Sequence, residues 1–352
     1  MYMFSSLAEI KQAAVEKIIP DKAAFDAATL RQTLLTKPLG SLGKLEEIAI
    51  WLASWQQNGC PKLDNVDTII FAGNHGVAKH GVSLFPAEVT KQMVTNFKNG
   101  GAAINQLCAL NGTNLKVIEL DLDKPTQDFS IAPAMSEAEL IEAINIGASA
   151  VSDDADLITL GEMGISNTSS ASAIAMALFG GEARHWTGKG TGLDVHSIEK
   201  KAEIIRKAVG FHEDFRHDPL EILRRLGGRE LAAIFGAVLA ARKKHIPVLL
   251  DGFICCAAVA PLYMLNQSAL SVAMAGHLSM EIGHISLLEL IDKPPLLQMD
   301  MRLGEGSGAV VALSIVRAAV ATHNGMATFD EANVSNIESN KNTEKVNTNR
   351  AL

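Results

Sequence analysis

Four short apolar runs constrain this chain more than any other feature, because each one stops abruptly at a polar or ionisable residue. Val66–Ala72 (VDTIIFA) ends at Gly73-Asn74-His75-Gly76, residues 115–120 at Asp121, 157–160 at Gly161-Glu162, and 246–250 at Asp251-Gly252. Helical patterns lie between them, and strands that alternate with helices specify a parallel sheet wrapped by helices. In open α/β sheets the ligand crevice lies outside the carboxyl ends of the strands. One polar residue at a strand end is an ordinary loop starter or helix cap. Four of them predict a shared site.

Residues 229–244 carry Leu231, Phe235, Val238 and Leu239 at helical spacing and read as a crossover helix leading into the strand IPVLL. Residues 8–19, 23–35 and 44–57 are helical in pattern, interrupted at Lys37-Pro38-Leu39-Gly40-Ser41-Leu42-Gly43, and 309–321 are helical again. The expected architecture is therefore α/β, with a small helical domain built from both termini. The boundaries drawn are 1–60 plus 306–333 for the helical domain and 61–305 for the sheet domain. Residues 334–352, rich in Asn and charge but without apolar periodicity, are expected to be a mobile tail.

Composition removes several classes. Lys and Arg number 31 against 39 Asp and Glu, a net charge of −8, with 48% of residues apolar and 20% charged. A chain so apolar folds, and one so acidic lacks the basic face that a nucleic-acid backbone requires. Arg242-Lys243-Lys244, the densest basic run, reads as a solvated helix end. The most apolar stretch, residues 252–265, is too short to cross a bilayer and reads as buried core. Charges at the N-terminus precede any apolar run of signal-peptide length, so a cytoplasmic protein without membrane partners is expected. Cys60, Cys108, Cys255 and Cys256 form no C-x-x-C pair and read as reduced thiols.

The familiar cofactor motifs are missing. Gly188-Lys189-Gly190-Thr191-Gly192 follows Glu182-Ala-Arg-His-Trp-Thr187 rather than a strand, which disfavours a dinucleotide fingerprint, and no Walker A context surrounds a lysine. His277 and His284 are seven residues apart without an H-E-x-x-H pattern, so no metal site is expected. The acidic pair and Thr/Gly loop that would hold Mg²⁺ and pyrophosphate are also missing, and no cofactor is expected.

Two glutamates between glycines stand out instead. Gly161-Glu162-Met163-Gly164-Ile165-Ser166-Asn167-Thr168 sits at a strand end, where glycine permits close backbone approach and the following helix start attracts an anion. Arg302-Leu303-Gly304-Glu305-Gly306-Ser307-Gly308 places a second carboxylate just before another helix. A glutamate enclosed by glycines costs backbone entropy without a packing gain, although a helix-start carboxylate favoured by the dipole is the simpler reading of either motif.

These motifs, together with Lys37-Pro-Leu-Gly-Ser-Leu-Gly-Lys-Leu-Glu46, Ala72-Gly-Asn-His-Gly-Val77, Gly100-Gly-Ala-Ala-Ile-Asn105, Gly227-Gly-Arg-Glu230, Leu250-Asp-Gly-Phe253 and His277-Leu-Ser279, resemble the nicotinate-nucleotide–dimethylbenzimidazole phosphoribosyltransferases, in order and over roughly residues 30 to 330. The resemblance implies a Rossmann-like domain with a small helical domain, a homodimer, and small-molecule substrates: nicotinate mononucleotide and 5,6-dimethylbenzimidazole. On that resemblance the pyridinium donor leaves as nicotinate with a neutral ring, and no metal is needed to stabilise a pyrophosphate. The resemblance implies that Glu305 is the general base and that Glu162 faces the ribose. It further implies that Lys201 and Ser279 hold the 5′-phosphate beside helix-start amides near Gly164 and Gly304, and that Asn167, Thr168, Asn74, His75 and Asp251 complete the site. Read alone, Lys201 belongs to a solvated helix face.

Departures from the pattern are local. Asn74 stands where many members carry Asp, and Leu39 replaces a second proline. In residues 83–98, which the resemblance places along the base pocket, Phe85 offers a ring for stacking and Met93 a pliable wall. The acceptor is therefore dimethylbenzimidazole or another benzimidazole or purine base. A catalytically silent nucleotide-binding relative and a Rossmann oxidoreductase are the alternatives from other classes; retention of both glutamates opposes the first and the missing fingerprint the second. Leu30, Leu34 and Leu35 are the candidate apolar contacts of a dimer.

Overall fold

The computed structural model describes residues 3–335; most of the expected tail, from residue 336 on, lies outside the described residues. Helices α1 (Leu7–Val15), α2 (Lys22–Leu34) and α3 (Lys44–Trp55) precede strand β1 (Val66–Ala72). Then come α4 (Glu88–Lys98), α5 (Ala103–Asn111), β2 (Asn114–Glu119), α6 (Glu137–Ala150) and β3 (Leu157–Met163). Next are α7 (Asn167–Phe179), α8 (Ala183–Trp186), α9 (Val195–Phe211), α10 (Pro219–Leu226), α11 (Arg229–Lys243), β4 (Val248–Leu250) and α12 (Phe253–Leu265). The chain continues through β5 (Ala273–Leu278), α13 (His284–Leu290), β6 (Pro295–Gln298) and α14 (Ser307–Gly325).

The six strands form one parallel sheet in the order β2-β1-β3-β4-β5-β6. The chain moves outward from β1 to β2, then returns to the other side of β1 with β3, so the order reverses between β1 and β3. A crevice opens at such a reversal, outside the carboxyl ends of the strands. All four expected strands are present. β5 and β6 are additional, and their sequences explain the omission: AMAGHL has no β-branched residue, and PLLQ opens with proline, which only an edge strand accepts.

The chain divides into two compact units. Among the described residues, the first joins Asp64–Ser314 to the N-terminal segment up to Ile19; the second joins Pro20–Leu63 to residues 315–335. Helix α1 therefore groups with the sheet rather than with the helical unit expected from residues 1–60. Arg242 is one reason. Expected at a solvated helix end, it is fully buried, and its guanidinium donates to the carbonyls of Ala14 at 3.2 Å and Glu16, at the end of α1. Those carbonyls lack partners within their own helix, so the two terminal nitrogens of a buried cation supply them, while its Nε has no hydrogen-bond partner among the described residues.

In the first unit, α11 is buried along almost its whole length and lies against α6 at very close range. A Cβ on Gly147 would stand 1.8 Å from the Ala233 carbonyl oxygen, and one on Gly236 2.1 Å from that of Ile144. Two glycines, one on each helix, thus let the backbones touch. The apolar segment 252–265 is α12, buried over most of its length as expected, and no described helix is long and apolar enough to cross a membrane.

In the second unit, α2 pairs with α3, and His323 bonds both Gln32 at 2.8 Å and the Gly59 carbonyl at 2.9 Å. Leu30 and Leu34 are exposed on α2, whereas Leu35 is fully buried and offers no surface for a partner. All four cysteines are free thiols.

Candidate active site

A cavity of about 730 Å³ opens at the carboxyl ends of β3, β4 and β5; of the four strand ends expected to share a site, those at Glu162 and Gly252 line it, and those at 73–76 and Asp121 do not. Glu162, Gly164, Asn167 and Thr168 line it from the β3–α7 turn, Ser279 from the end of β5, and Gly304 and Glu305 from the loop entering α14. Phe85 and Met93 form part of an apolar wall with Val82 and Val89. A more open cleft of about 960 Å³ beside α6 is lined largely by apolar groups, and none of the strand-end residues reaches it.

Backbone packing sets the two glutamates. Gly304, Glu305 and Gly306 all have positive φ (83°, 62° and 78°), a left-handed stretch that glycine adopts freely and glutamate does not. The loop is driven against β3: a Cβ on Gly161 would lie 2.4 Å from the Gly306 nitrogen, and one on Gly304 would lie 2.6 Å from Oε1 of Glu162. The glycines flanking both glutamates thus bring two carboxylate-bearing turns into contact. Asp251, just past β4, fastens the arrangement from beneath. Its carboxylate accepts the backbone N–H groups of Gly306 at 3.1 Å and Ala309 at 3.0 Å, capping α14, and His277 Nε2 lies 3.5 Å from its Oδ1.

Crowding of buried carboxylates shapes their ionisation. Burial pushes Glu162 up to about 8, helped by the negative charges of Asp251, Glu230 and Glu305, while a hydrogen bond from the Asn167 side-chain amide to Oε2 opposes the shift. Burial and Asp251 raise Glu305 to about 7. A carboxylate titrating near neutrality is suited to accept a proton during catalysis.

Behind Thr168 in the lining lies a cation. Lys201, read from sequence as part of a solvated face, is fully buried within α9, and its ammonium donates to Thr168 Oγ1 at 2.7 Å. Burial lowers it to about 8, against the opposing influence of Glu281. No carboxylate comes within ion-pairing distance of it among the described residues. A buried ammonium beside the first turn of α7 is a ready anion site, because the helix-start N–H groups and the lysine act on the same ligand.

Ser279 lies nearby, its backbone N–H donating to His284 Nδ1 at 2.9 Å. That bond assigns the ring proton to Nε2, which faces Cys256 Sγ at 3.4 Å. Burial holds His284 at about 3, so the ring stays neutral, and burial raises the thiol.

Two predicted contacts do not reach the cavity. Asn74 is buried and donates to the Leu122 carbonyl at 2.9 Å. His75 is enclosed between Glu230, at 2.5 Å, and Ser170, at 3.1 Å. Asp251 and Lys201 stand directly behind the lining rather than in it. Conversely, His277, Arg302 and the glycine run at 188–192 line or frame the cavity and were not assigned to it. Gly190 leaves room for the Lys201 ammonium, which a Cβ there would approach to 3.4 Å, and its carbonyl accepts from Arg302 at 3.0 Å. Thr191 Oγ1 bonds Ser83 Oγ at 3.1 Å and accepts the Leu84 N–H at 3.0 Å. The density of glycine in that run was the available signal; it marks close approach to a buried lysine, not a nucleotide fingerprint. Among the described residues no group of three His, Cys, Asp or Glu side chains is arranged to hold a metal ion.

Known proteins resemble this chain over nearly its whole length. The phosphoribosyltransferase family model DBI_PRT matches residues 19–334. The chain is 52% identical over 332 residues, 94% of its length, to a Cereibacter sphaeroides protein named nicotinate-nucleotide–dimethylbenzimidazole phosphoribosyltransferase, covering 98% of that relative. A protein of the same name from Mesorhizobium japonicum is 54% identical, with 94% of this chain and 99% of the relative covered. Among solved structures, CobT from Thermus thermophilus superposes with a TM-score of 0.82 at 36% identity, over 89% of this chain and 99% of that one. From a left-handed glutamate loop packed on β3 to a match along nearly the full length of its relatives, the observations agree that the chain belongs to the nicotinate-nucleotide–dimethylbenzimidazole phosphoribosyltransferase family.

Proposed function

We propose that this enzyme transfers the 5-phosphoribosyl group of nicotinate mononucleotide to 5,6-dimethylbenzimidazole, giving α-ribazole 5′-phosphate and nicotinate with inversion at C1′. The observation that carries this reading is the pairing of two carboxylates raised toward neutrality, Glu162 and Glu305, with a buried lysine that bonds Thr168 in the lining of the same cavity. The names of the relatives supply the substrates.

The 5′-phosphate is held by Lys201, Thr168, Ser279 and the first N–H groups of α7, which fixes the ribose beneath Glu162. The C1′–pyridinium bond breaks and its electron pair returns to the ring nitrogen, so nicotinate leaves without needing a proton. One nitrogen of the benzimidazole forms the new bond to C1′ while Glu305 takes the proton from the other. Positive charge that develops at C1′ favours the ionised form of Glu162, which stabilises it in return. Val82, Phe85, Val89 and Met93 provide the apolar wall for the base. The enzyme works in the cytoplasm as a homodimer on this reading, with exposed Leu30 and Leu34 as candidate contacts; light scattering tests the oligomeric state.

A turnover panel of benzimidazoles and purines with nicotinate mononucleotide, read by product mass, tests both the reaction and the choice of base. Release of no nicotinate with any base by the folded enzyme sinks the proposal. Glu305→Gln should abolish the chemical step while donor binding, measured by calorimetry, survives.

A further inference from the structure

We propose that His75 and Glu230 form a buried positioning pair for Glu162, acting through the Gly164 turn and Asn167 on that carboxylate without touching substrate themselves. The inference rests on the reaction proposed above. His75 follows β1 and Glu230 opens α11; both side chains are fully buried, with Nε2 to Oε1 at 2.5 Å and His75 Nδ1 to Ser170 Oγ at 3.1 Å. Three glycines from separate motifs make room for the pair. A Cβ would lie 2.4 Å from Glu230 Oε2 at Gly73, 2.9 Å from Oε1 at Gly164, and 2.3 Å from the His75 ring at Gly228.

The same point beside Gly164 lies 3.1 Å from Asn167 Nδ2, the group that donates to Glu162 Oε2. Glu230 and the Asn167 amide therefore both pack against the Gly164 turn, and that amide is the group that bonds Glu162. Glu230 Oε2 has no hydrogen-bond partner among the described residues, so part of its charge is uncompensated locally. The groups whose charge bears on Glu162 are Glu230, Asp251 and Glu305, with the Cys255 thiol close by. His75 is the partner that tempers Glu230. A pair that served the fold alone would not need its carboxylate at the turn that orients Glu162.

Two variants of the whole enzyme test this. Glu230→Gln keeps an acceptor for His75 and removes one negative charge, so Glu162 should titrate about one pH unit lower. His75→Leu strips the partner from Glu230 and should move Glu162 the other way. Difference infrared spectroscopy reads Glu162 directly, as the C=O stretch that a Glu162→Gln enzyme lacks, and kcat/KM against pH gives the second readout. Matching displacement of both in Glu230→Gln supports the pair. A folded Glu230→Gln enzyme whose infrared titration and rate profile superimpose on the wild type overturns it, whether or not His75→Leu folds. If the wild type releases no nicotinate, the proposed reaction fails, and the infrared titration alone still decides the role of the pair.

Discussion

Asp251 governs Glu305 through the backbone: its carboxylate accepts the N–H of Gly306, the very next residue, at 3.1 Å, and that of Ala309 at 3.0 Å. The same carboxylate is the charge that, after burial, raises Glu305 to about 7. One side chain thereby sets both where the base stands and how readily it takes a proton.

Asp251→Asn separates the two effects. The amide retains one acceptor but loses the charge, so Glu305 should titrate lower and the ascending limb of kcat/KM should move below pH 7. Loss of one buried backbone bond should also reduce kcat, at about 1–3 kcal/mol for an unsatisfied donor. Rate profiles of the variant and the wild type check both; an unmoved limb would exclude Asp251 from control of the base.

Lys201→Met replaces a buried ammonium with an apolar chain of similar length. Hydrogen bonds to charged groups are worth about 1.5–3 kcal/mol, so KM for nicotinate mononucleotide should rise roughly 10- to 100-fold. The protein itself should melt no lower than the wild type, since among the described residues the ammonium has only Thr168 as hydrogen-bond partner. The riboside lacking the 5′-phosphate should be used equally well by both enzymes. A variant that still prefers the nucleotide would relocate the phosphate site.

Gly161→Ala probes the contact between β3 and the Glu305 loop. The added methyl would fall 2.4 Å from the Gly306 nitrogen and 2.6 Å from its Cα, and rigid backbone has to move. Overpacking of this kind costs about 1–3 kcal/mol. Thermal unfolding should show that loss, and kcat should fall more than KM changes, because the displaced group is the base.

Stability should decline between pH 5 and pH 8. Glu162 and Glu305 titrate near 8 and 7 in the folded chain, above the usual 4.5, so the folded state holds protons that the unfolded chain releases. Their contribution is complete below about pH 4.5 and is lost as pH rises through the folded values, at about 1.4 kcal/mol per pH unit for each group. Asp128, whose burial is outweighed by hydrogen bonds from His80 and Ser130 that hold it at about 2, matters only at more acid pH. A Glu162→Gln/Glu305→Gln double variant should flatten the melting temperature over this range, and an equally steep decline would locate the protons elsewhere.

The sheet and its crevice were legible because four strands announce themselves by composition and end in ionisable residues. β5 was hidden by its alanines and glycine, although it carries His277 and leads directly into Ser279. Lys201 illustrates a second limit. Glu199-Lys200-Lys201-Ala202 has the appearance of an exposed helix face, and only packing against α7 reveals that the second lysine points inward. Arg242 misleads for the same reason: its partners are backbone carbonyls more than 220 residues away, which no local pattern encodes. His75 sits in a motif adjacent to the site, yet burial against Glu230 gives it an indirect place there.

The left-handed run at 304–306 bears on how this scaffold can be re-engineered. A side chain at Gly304 or Gly306 would be strained by its own backbone, and the Gly161 contact permits no sliding of the loop. Combinatorial libraries aimed at new acceptor bases should therefore leave the glutamate loop untouched and place their diversity at Val82, Phe85, Val89 and Met93, which also line the cavity.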